Sequence, residues 1–225
     1  MCIITDVSAA ARPPVLTPGW SAHTIFIVKI LVILAHPNQG SFNHAIAERA
    51  IQSLNMNGHN VIFRDLYRER FKPELPYDEI VEDEKITGEI NKYCRELAEA
   101  EGIIVVHPNW WGQPPAILKG YIDRIFRPGV AYRFEEGDGG EGIPRGLLKA
   151  KAAVVFNTSN TSLERETGVF GDPLETLWKN CIFDLCGVST FYRRTFGVIV
   201  TSAAEQRRAW LDEVQDMVNR YFPPG

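Results

Sequence analysis

Cysteine is scarce in this chain. There are four in 225 residues, Cys2, Cys94, Cys181 and Cys186, with neither a CxxC pair nor a Cys/His spacing suited to zinc. A disulfide framework and a structural metal site are therefore not expected, and free thiols in a reducing, cytoplasmic compartment are. Long apolar runs are also lacking. The longest near the start, Ile25 to Ala35, is interrupted by Lys29 and falls well short of the roughly 20 residues of a membrane helix. It has no basic start and no small-residue cleavage site, so neither an integral membrane segment nor a signal peptide is expected. No charge dominates: 24 Lys+Arg against 28 Asp+Glu leave a net charge of -4 without a long basic block, which removes the electrostatic footprint of a nucleic-acid binder. The loop His36 to Asn43 has a single glycine and is neither GxGxxG nor a P-loop, and no internal repeat is visible, so the ordinary dinucleotide and nucleoside-triphosphate fingerprints are missing from it. The acidic, glycine-rich stretch EEGDGGEGIP at 135–144 lacks the ligand spacing of a calcium loop and reads as a mobile surface loop.

What is present is an ordinary globular composition, 45% apolar and 23% charged, of a length that fits one core. Residues 1–28 carry no periodicity and read as a disordered extension or a start-site artefact; 29–225 read as a single domain. Strand-length apolar runs recur at Ile30 to Ala35, Asn60 to Arg64, Ile103 to His107, Ala152 to Asn157 and within Thr190 to Val200. Between them lie helical spacings: Phe42, Ile46, Ala50 and Leu54; Ile117, Tyr121 and Ile125; Leu174, Leu177, Trp178, Cys181 and Leu185; and Leu211, Val214, Val218 and Tyr221 behind a Ser202 to Glu205 capping box. A further helix is expected over Asp78 to Leu97. Nearly all-apolar strands alternating with amphipathic helices predict an α/β fold, a flavodoxin-like, doubly wound, five-stranded parallel sheet with helices on both faces.

In such a sheet ligands bind beyond the carboxyl ends of the strands, which brings together three loops: HPNQGSFN, HPNWWGQPP and NTSNTS. The first enters a helix at Ser41, where free backbone N–H groups and the positive dipole end suit a phosphate. Ser41 is equally explained as a helix cap, and His36 as a partner for local backbone groups. The second loop resists a packing explanation. Consecutive Trp110 and Trp111 cannot both enter one core, and Gly112, Pro114 and Pro115 set a turn ahead of a helix. A planar aromatic wall beside backbone donors suits a flat heterocycle, and the polar third loop, Asn157 to Ser162, suits its edge.

The motifs HPNQGSFNHAI, HPNWWGQPPAILKGYIDRIF, VFGDPLETLW and FDLCGV make residues 29 to 222 resemble the flavodoxin-like NAD(P)H:quinone oxidoreductases, the DT-diaphorase-like flavoproteins and their bacterial relatives. The resemblance implies a noncovalently bound flavin, FAD or FMN with FAD favoured, that takes hydride from NADH or NADPH and passes it to a quinone-like acceptor, in a homodimer. Carried over, His36, Ser41, Phe42 and Asn43 would hold the phosphate and ribityl portion. Pro108, Asn109, Trp110, Trp111 and Gly112 would flank the isoalloxazine, and Asn157, Thr158, Ser159 and Asn160 would meet its pyrimidine edge. Arg207 would approach an adenine.

The pattern departs from the family at two places. Glu164 and Phe170 stand where diaphorase-type members carry a tyrosine and a histidine, and Ser159 and Asn160 replace a glycine pair. Glu164 is thus a candidate proton donor, although a capping-box spacing from Thr161 explains it structurally. Two other functions share much of the pattern. One is an ancillary, flavin-binding regulatory subunit of a potassium efflux transporter; the other is a flavodoxin-like electron carrier without a nicotinamide site.

Overall fold

The structure is a computed structural model and describes residues 27–81, 86, 88–135, 137 and 141–225. The expected extension lies, up to residue 26, outside the described residues, as do residues 136 and 138–140 of the expected surface loop. Five strands form one parallel sheet: β1 (Lys29–Leu34), β2 (Asn60–Asp65), β3 (Gly102–Pro108), β6 (Ala152–Thr158) and β7 (Thr190–Phe196). Their spatial order is β2-β1-β3-β6-β7, the flavodoxin order. Two short strands, β4 (Tyr132–Arg133) and β5 (Arg145–Gly146), pair antiparallel outside it. At two residues each they carry no alternation for a sequence pattern to reveal.

Burial follows strand position. The central strands β3 and β6 are buried at every residue, and β1 at all but its first. The edge strands β2 and β7 are half-buried along most of their length. Alternate residues feed two cores, as a pleated strand requires. Leu31, Ile33, Ile103, Val105, Ala153 and Val155 pack on one face against α3 (Gly88–Glu99) and α4 (Ala116–Ile125). Ile30, Val32, Ile104, Val106, Val154 and Phe156 pack on the other against α1 (Phe42–Met56) and α7 (Ala204–Tyr221).

Four local expectations change. Within the helix expected over Asp78 to Leu97, the described residues form α2 (Tyr77–Val81) and α3, while 82–85 and 87 lie outside the described residues. The helix expected around Trp178 is a short α6 (Pro173–Glu175) that opens into a π-helix (Thr176–Asp184). Its wider turn leaves Cys181 exposed while Trp178, Ile182 and Phe183 are buried. The Ser202 to Glu205 capping box does not form. The cap of α7 is Ala203, and Ser202 instead donates its hydroxyl to the Ile199 carbonyl at 2.7 Å. The cap of α5 (Leu163–Gly168) is Ser162, not Thr161, and it accepts from the Arg165 amide.

The connection after β2 is tied to α4. Arg124 is buried, donates from Nε to Glu79 Oε2 at 3.1 Å, ion-pairs with the same carboxylate through Nη2, and reaches the Lys72 carbonyl at 2.6 Å. Gly120 lets α4 lie against Pro73, because a Cβ there would collide with the Pro73 carbonyl oxygen. The LKGYIDR part of the long motif is thus scaffold. It fixes the helix that follows the tryptophan pair.

Candidate functional site

The carboxyl ends of β1, β3 and β6 release three loops side by side, because β1 neighbours β3 and β3 neighbours β6. At the first, Ser41 caps α1, accepting from the His44 amide, and its Oγ lies 2.9 Å from His44 Nδ1. His44 Nε2 in turn meets Asp65 Oδ2 at 3.3 Å. His36 Nδ1 accepts from the Asn38 amide at 3.1 Å. Burial pushes the His36 pKa down, and the nearby His44 adds to the shift against the opposing Asn38 contact, so the neutral ring is favoured there.

The second loop is a tight turn. Trp110 and Gln113 exchange two backbone hydrogen bonds of 3.0 Å. The residues between them, Trp111 and Gly112, have φ of 58° and 72°, the positive-φ pair of a type I′ turn. Glycine adopts this freely, but a tryptophan does so at a cost of about 1–2 kcal/mol. The side chain gains no burial in return, for Trp111 is 100% exposed. Asn109 braces the turn by accepting the Gly112 amide at 2.9 Å, while its own amide N–H bonds the Thr158 carbonyl of β6 at 2.7 Å.

Behind this loop sits a buried relay. His107, fully enclosed, donates from Nδ1 to the Pro108 carbonyl at 2.8 Å, and its Nε2 accepts from Asn157 Nδ2 at 2.8 Å and Trp178 Nε1 at 3.0 Å. Burial is the main cause that lowers its pKa to about 4, with Arg193 adding to the effect. Asn157 Oδ1 accepts from Arg193, which also bonds Thr195 and ion-pairs with Asp172 and Glu175.

The loops line two adjoining open cavities. One, of about 330 Å³, is lined by His36, Ser41, Phe42, Asn43, Pro108, Asn109, Trp110, Thr158, Ser159, Asn160, Thr161 and Ile199. The other, of about 580 Å³, is lined by Asn109, Trp111, Gly112, Thr161, Arg165, Glu166, Phe170 and Pro173. Of the fourteen expected cofactor-binding residues, twelve line one cavity or the other. Asn157 and Arg207 do not. Asn157 has no exposed surface and supports the relay. The Arg207 guanidinium is held by Ser202 Oγ at 2.8 Å and the Ile199 carbonyl at 3.1 Å.

Glu164 is exposed on the outer side of α5 and lines neither cavity. The carboxylate that does is Glu166, 6% exposed. Its Oε1 accepts from Asn109 Nδ2 at 2.9 Å and Ser159 Oγ at 3.1 Å. Sequence reasoning missed it because attention went to Glu164, which stands where the resembled family carries a tyrosine. Residues two apart on a helix point about 200° apart, so moving attention from Glu164 to Glu166 moves from the solvent to the cavity. Among the described residues, no three His, Cys, Asp or Glu side chains form a metal-binding group, and no helix is long and apolar enough to cross a membrane.

The chain matches a family model described as flavodoxin-like fold over residues 28–218. An uncharacterized NAD(P)H oxidoreductase from Haemophilus influenzae is 37% identical over 187 residues, covering 81% of this chain and 90% of that one. The ribosyldihydronicotinamide dehydrogenase [quinone] of Mus musculus is 28% identical over 207 residues, covering 80% and 86%. The crystal structure of Smu.1420 from Streptococcus mutans superposes with a TM-score of 0.74 at 30% identity, covering 84% and 98%.

Proposed function

Since the chain belongs to the flavodoxin-like family that contains these NAD(P)H oxidoreductases, we propose that it is an NAD(P)H-dependent flavin oxidoreductase that passes hydride from a nicotinamide to a quinone-like acceptor. The relatives named as quinone dehydrogenases support the acceptor class. The observation that carries the flavin reading is the junction of the two cavities: an anion-ready helix start in one, a strained and exposed indole in the other, and Asn109 lining both.

The residues present fit such a group. Asn43 is 2% exposed and lines the smaller cavity; its Nδ2 bonds Thr158, yet its Oδ1 is enclosed without a partner. A buried unpaired acceptor costs about 1–3 kcal/mol, and a ribityl hydroxyl donating to it removes that cost. The N-terminal amides of α1 suit the phosphate. Trp110 and Trp111 supply faces for an aromatic ring, and Ser159 and Asn160 supply polar contacts for its edge. When bound, the flavin supplies two-electron chemistry, accepting hydride and giving it up. The chain's share is to seat it through α1, wall one face, and leave the larger cavity for nicotinamide and acceptor in turn.

Within this reading the flavin is FAD. Arg207, held beside Ile199 at the rim, has Nη1 without a hydrogen bond among the described residues, which suits an adenine. The enzyme is a homodimer: Trp111 and Phe170 are exposed apolar side chains that line the larger cavity, and Leu163 and Val169 are exposed nearby in sequence, as a subunit interface needs. Free thiols at Cys94, Cys181 and Cys186 support a cytoplasmic location. The test is to release the flavin from purified protein, identify it by mass, and follow bleaching by NADH and by NADPH before adding a simple quinone. Bleaching and re-oxidation are expected. A colourless protein that takes up no added flavin overturns the proposal, and retained flavin that neither nicotinamide bleaches would favour an electron carrier.

A further inference from the structure

Among the described residues, Glu166 is the only carboxylate lining the larger cavity, and its two oxygens are unequal. Oε1 is used twice, by Asn109 and Ser159. Oε2 has no hydrogen-bond partner among the described residues and is not among the enclosed orphan atoms, so it keeps accessible surface on a side chain that lines the cavity. The side chain is more than nine-tenths buried and pinned from two loops, so it cannot swing away to solvent. Around it stand flat apolar surfaces, Trp111, Phe170 and Pro173, and one cation, Arg165, whose guanidinium lies 5.3 Å from the Phe170 ring centroid.

A carboxylate oxygen only accepts hydrogen bonds, and a guanidinium only donates them. A simple quinone offers carbonyl oxygens alone, so one set against Oε2 would face lone pair to lone pair. We infer that Glu166 is a specificity-determining residue that selects flat rings carrying an N–H or O–H donor beside a carbonyl, with the donor to Oε2 and the carbonyl to Arg165. The carboxamide of a nicotinamide has that edge, and so does an amino-substituted quinone. The inference rests on the proposed oxidoreductase reading and deepens it by naming the polarity of the substrate edge.

Glu166→Gln gives a near-isosteric test. Its Oε1 retains the bonds from Asn109 and Ser159, while its amide nitrogen presents a donor where Oε2 presented an acceptor. The probes are 2-amino-1,4-naphthoquinone and 2-methyl-1,4-naphthoquinone, each measured for KM and kcat with NADPH and NADH. Equilibrium binding to the oxidised, flavin-loaded protein is followed by quenching of tryptophan fluorescence. In the wild-type protein the amino compound should bind about tenfold tighter, in KM and Kd rather than in kcat, and Glu166→Gln should bring the ratio to one or below. A wild-type ratio within twofold, or one unchanged in Glu166→Gln, overturns the inference while leaving the oxidoreductase reading intact. If the variant does not fold, the wild-type ratio alone decides. A wild-type protein that takes up no flavin overturns both.

Discussion

Trp178 donates its indole N–H to Nε2 of His107 at 3.0 Å, across 71 residues of sequence. This bond joins the π-helix to the end of β3, three residues before Trp110. It requires a neutral imidazole with an unprotonated Nε2, which burial enforces by lowering the pKa to about 4.

An acid sensitivity follows. Between a folded pKa of about 4 and an unfolded value of about 6.5 the unfolded chain binds more protons, so stability rises with pH across that window. The His107 contribution is complete above pH 6.5 and is lost as pH falls toward 4, amounting to roughly 3 kcal/mol. Urea midpoints measured from pH 4 to 7 should show this slope, and a His107→Gln variant, less stable at neutral pH, should show a flatter one. Equal slopes in both proteins would remove His107 as the cause.

Gly120→Ala tests the scaffold half of the long motif. A methyl group there meets the Pro73 carbonyl, which is backbone and cannot rotate away, so α4 must shift. Overpacking of this kind costs about 1–3 kcal/mol. The urea midpoint should fall accordingly, although alanine is the better helix former. An unchanged midpoint would mean that the segment around Pro73 gives way freely.

Much of the fold was legible in the sequence because a strand buried on both faces reads as a nearly continuous apolar run, as in IIVV of β3 and AAVVF of β6. The tryptophan turn was legible because two consecutive indoles beside glycine and proline have no packing solution. The supporting chemistry was not. His107 and Trp178 are 71 residues apart, and Glu166 meets Asn109 across 57; no local spacing encodes either pair. Glu164 drew attention because it stands where the resembled family carries a tyrosine; the capping box that offered it a structural role does not form either, since the backbone places the cap at Ser162. The GDPL segment likewise carried no sign of its partner. Asp172 adopts a left-handed φ of 51° and ion-pairs with Arg193 of β7.

Arg193→Met should therefore be among the most damaging single changes. The guanidinium side chain is 7% exposed and serves Asp172, Glu175, Asn157 and Thr195 together. Asp172 and Glu175 are 24% and 44% exposed, so solvent recovers part of their loss, and removing the charged hydrogen bonds of the buried arginine costs about 1.5–3 kcal/mol. Chemical denaturation should report that loss, and Arg193→Lys should recover only part of it, because one ammonium cannot reproduce the fork that spans two carboxylates. Full recovery by lysine would reduce the role of Arg193 to charge alone.

Trp111 presents the opposite case, a residue whose replacement should harm function without harming the fold. Its side chain is 100% exposed and its backbone is left-handed at φ 58°, so it contributes little packing and holds strain of about 1–2 kcal/mol. Trp111→Gly relieves that strain while loosening the unfolded chain, two effects of similar size. The thermal midpoint should stay within a few degrees of the parent value, since about 1 kcal/mol shifts a protein of this size by roughly 2–4 °C. Flavin retention should nevertheless drop about tenfold or more, because a stacking face is lost from the cavity wall. Trp111→Ala, which keeps the left-handed strain and loses the ring, should match the glycine variant in flavin retention but lie below it in stability. Parallel loss of stability and flavin affinity in both variants would make the indole a folding element and remove the main reason for reading the turn as a cofactor shelf.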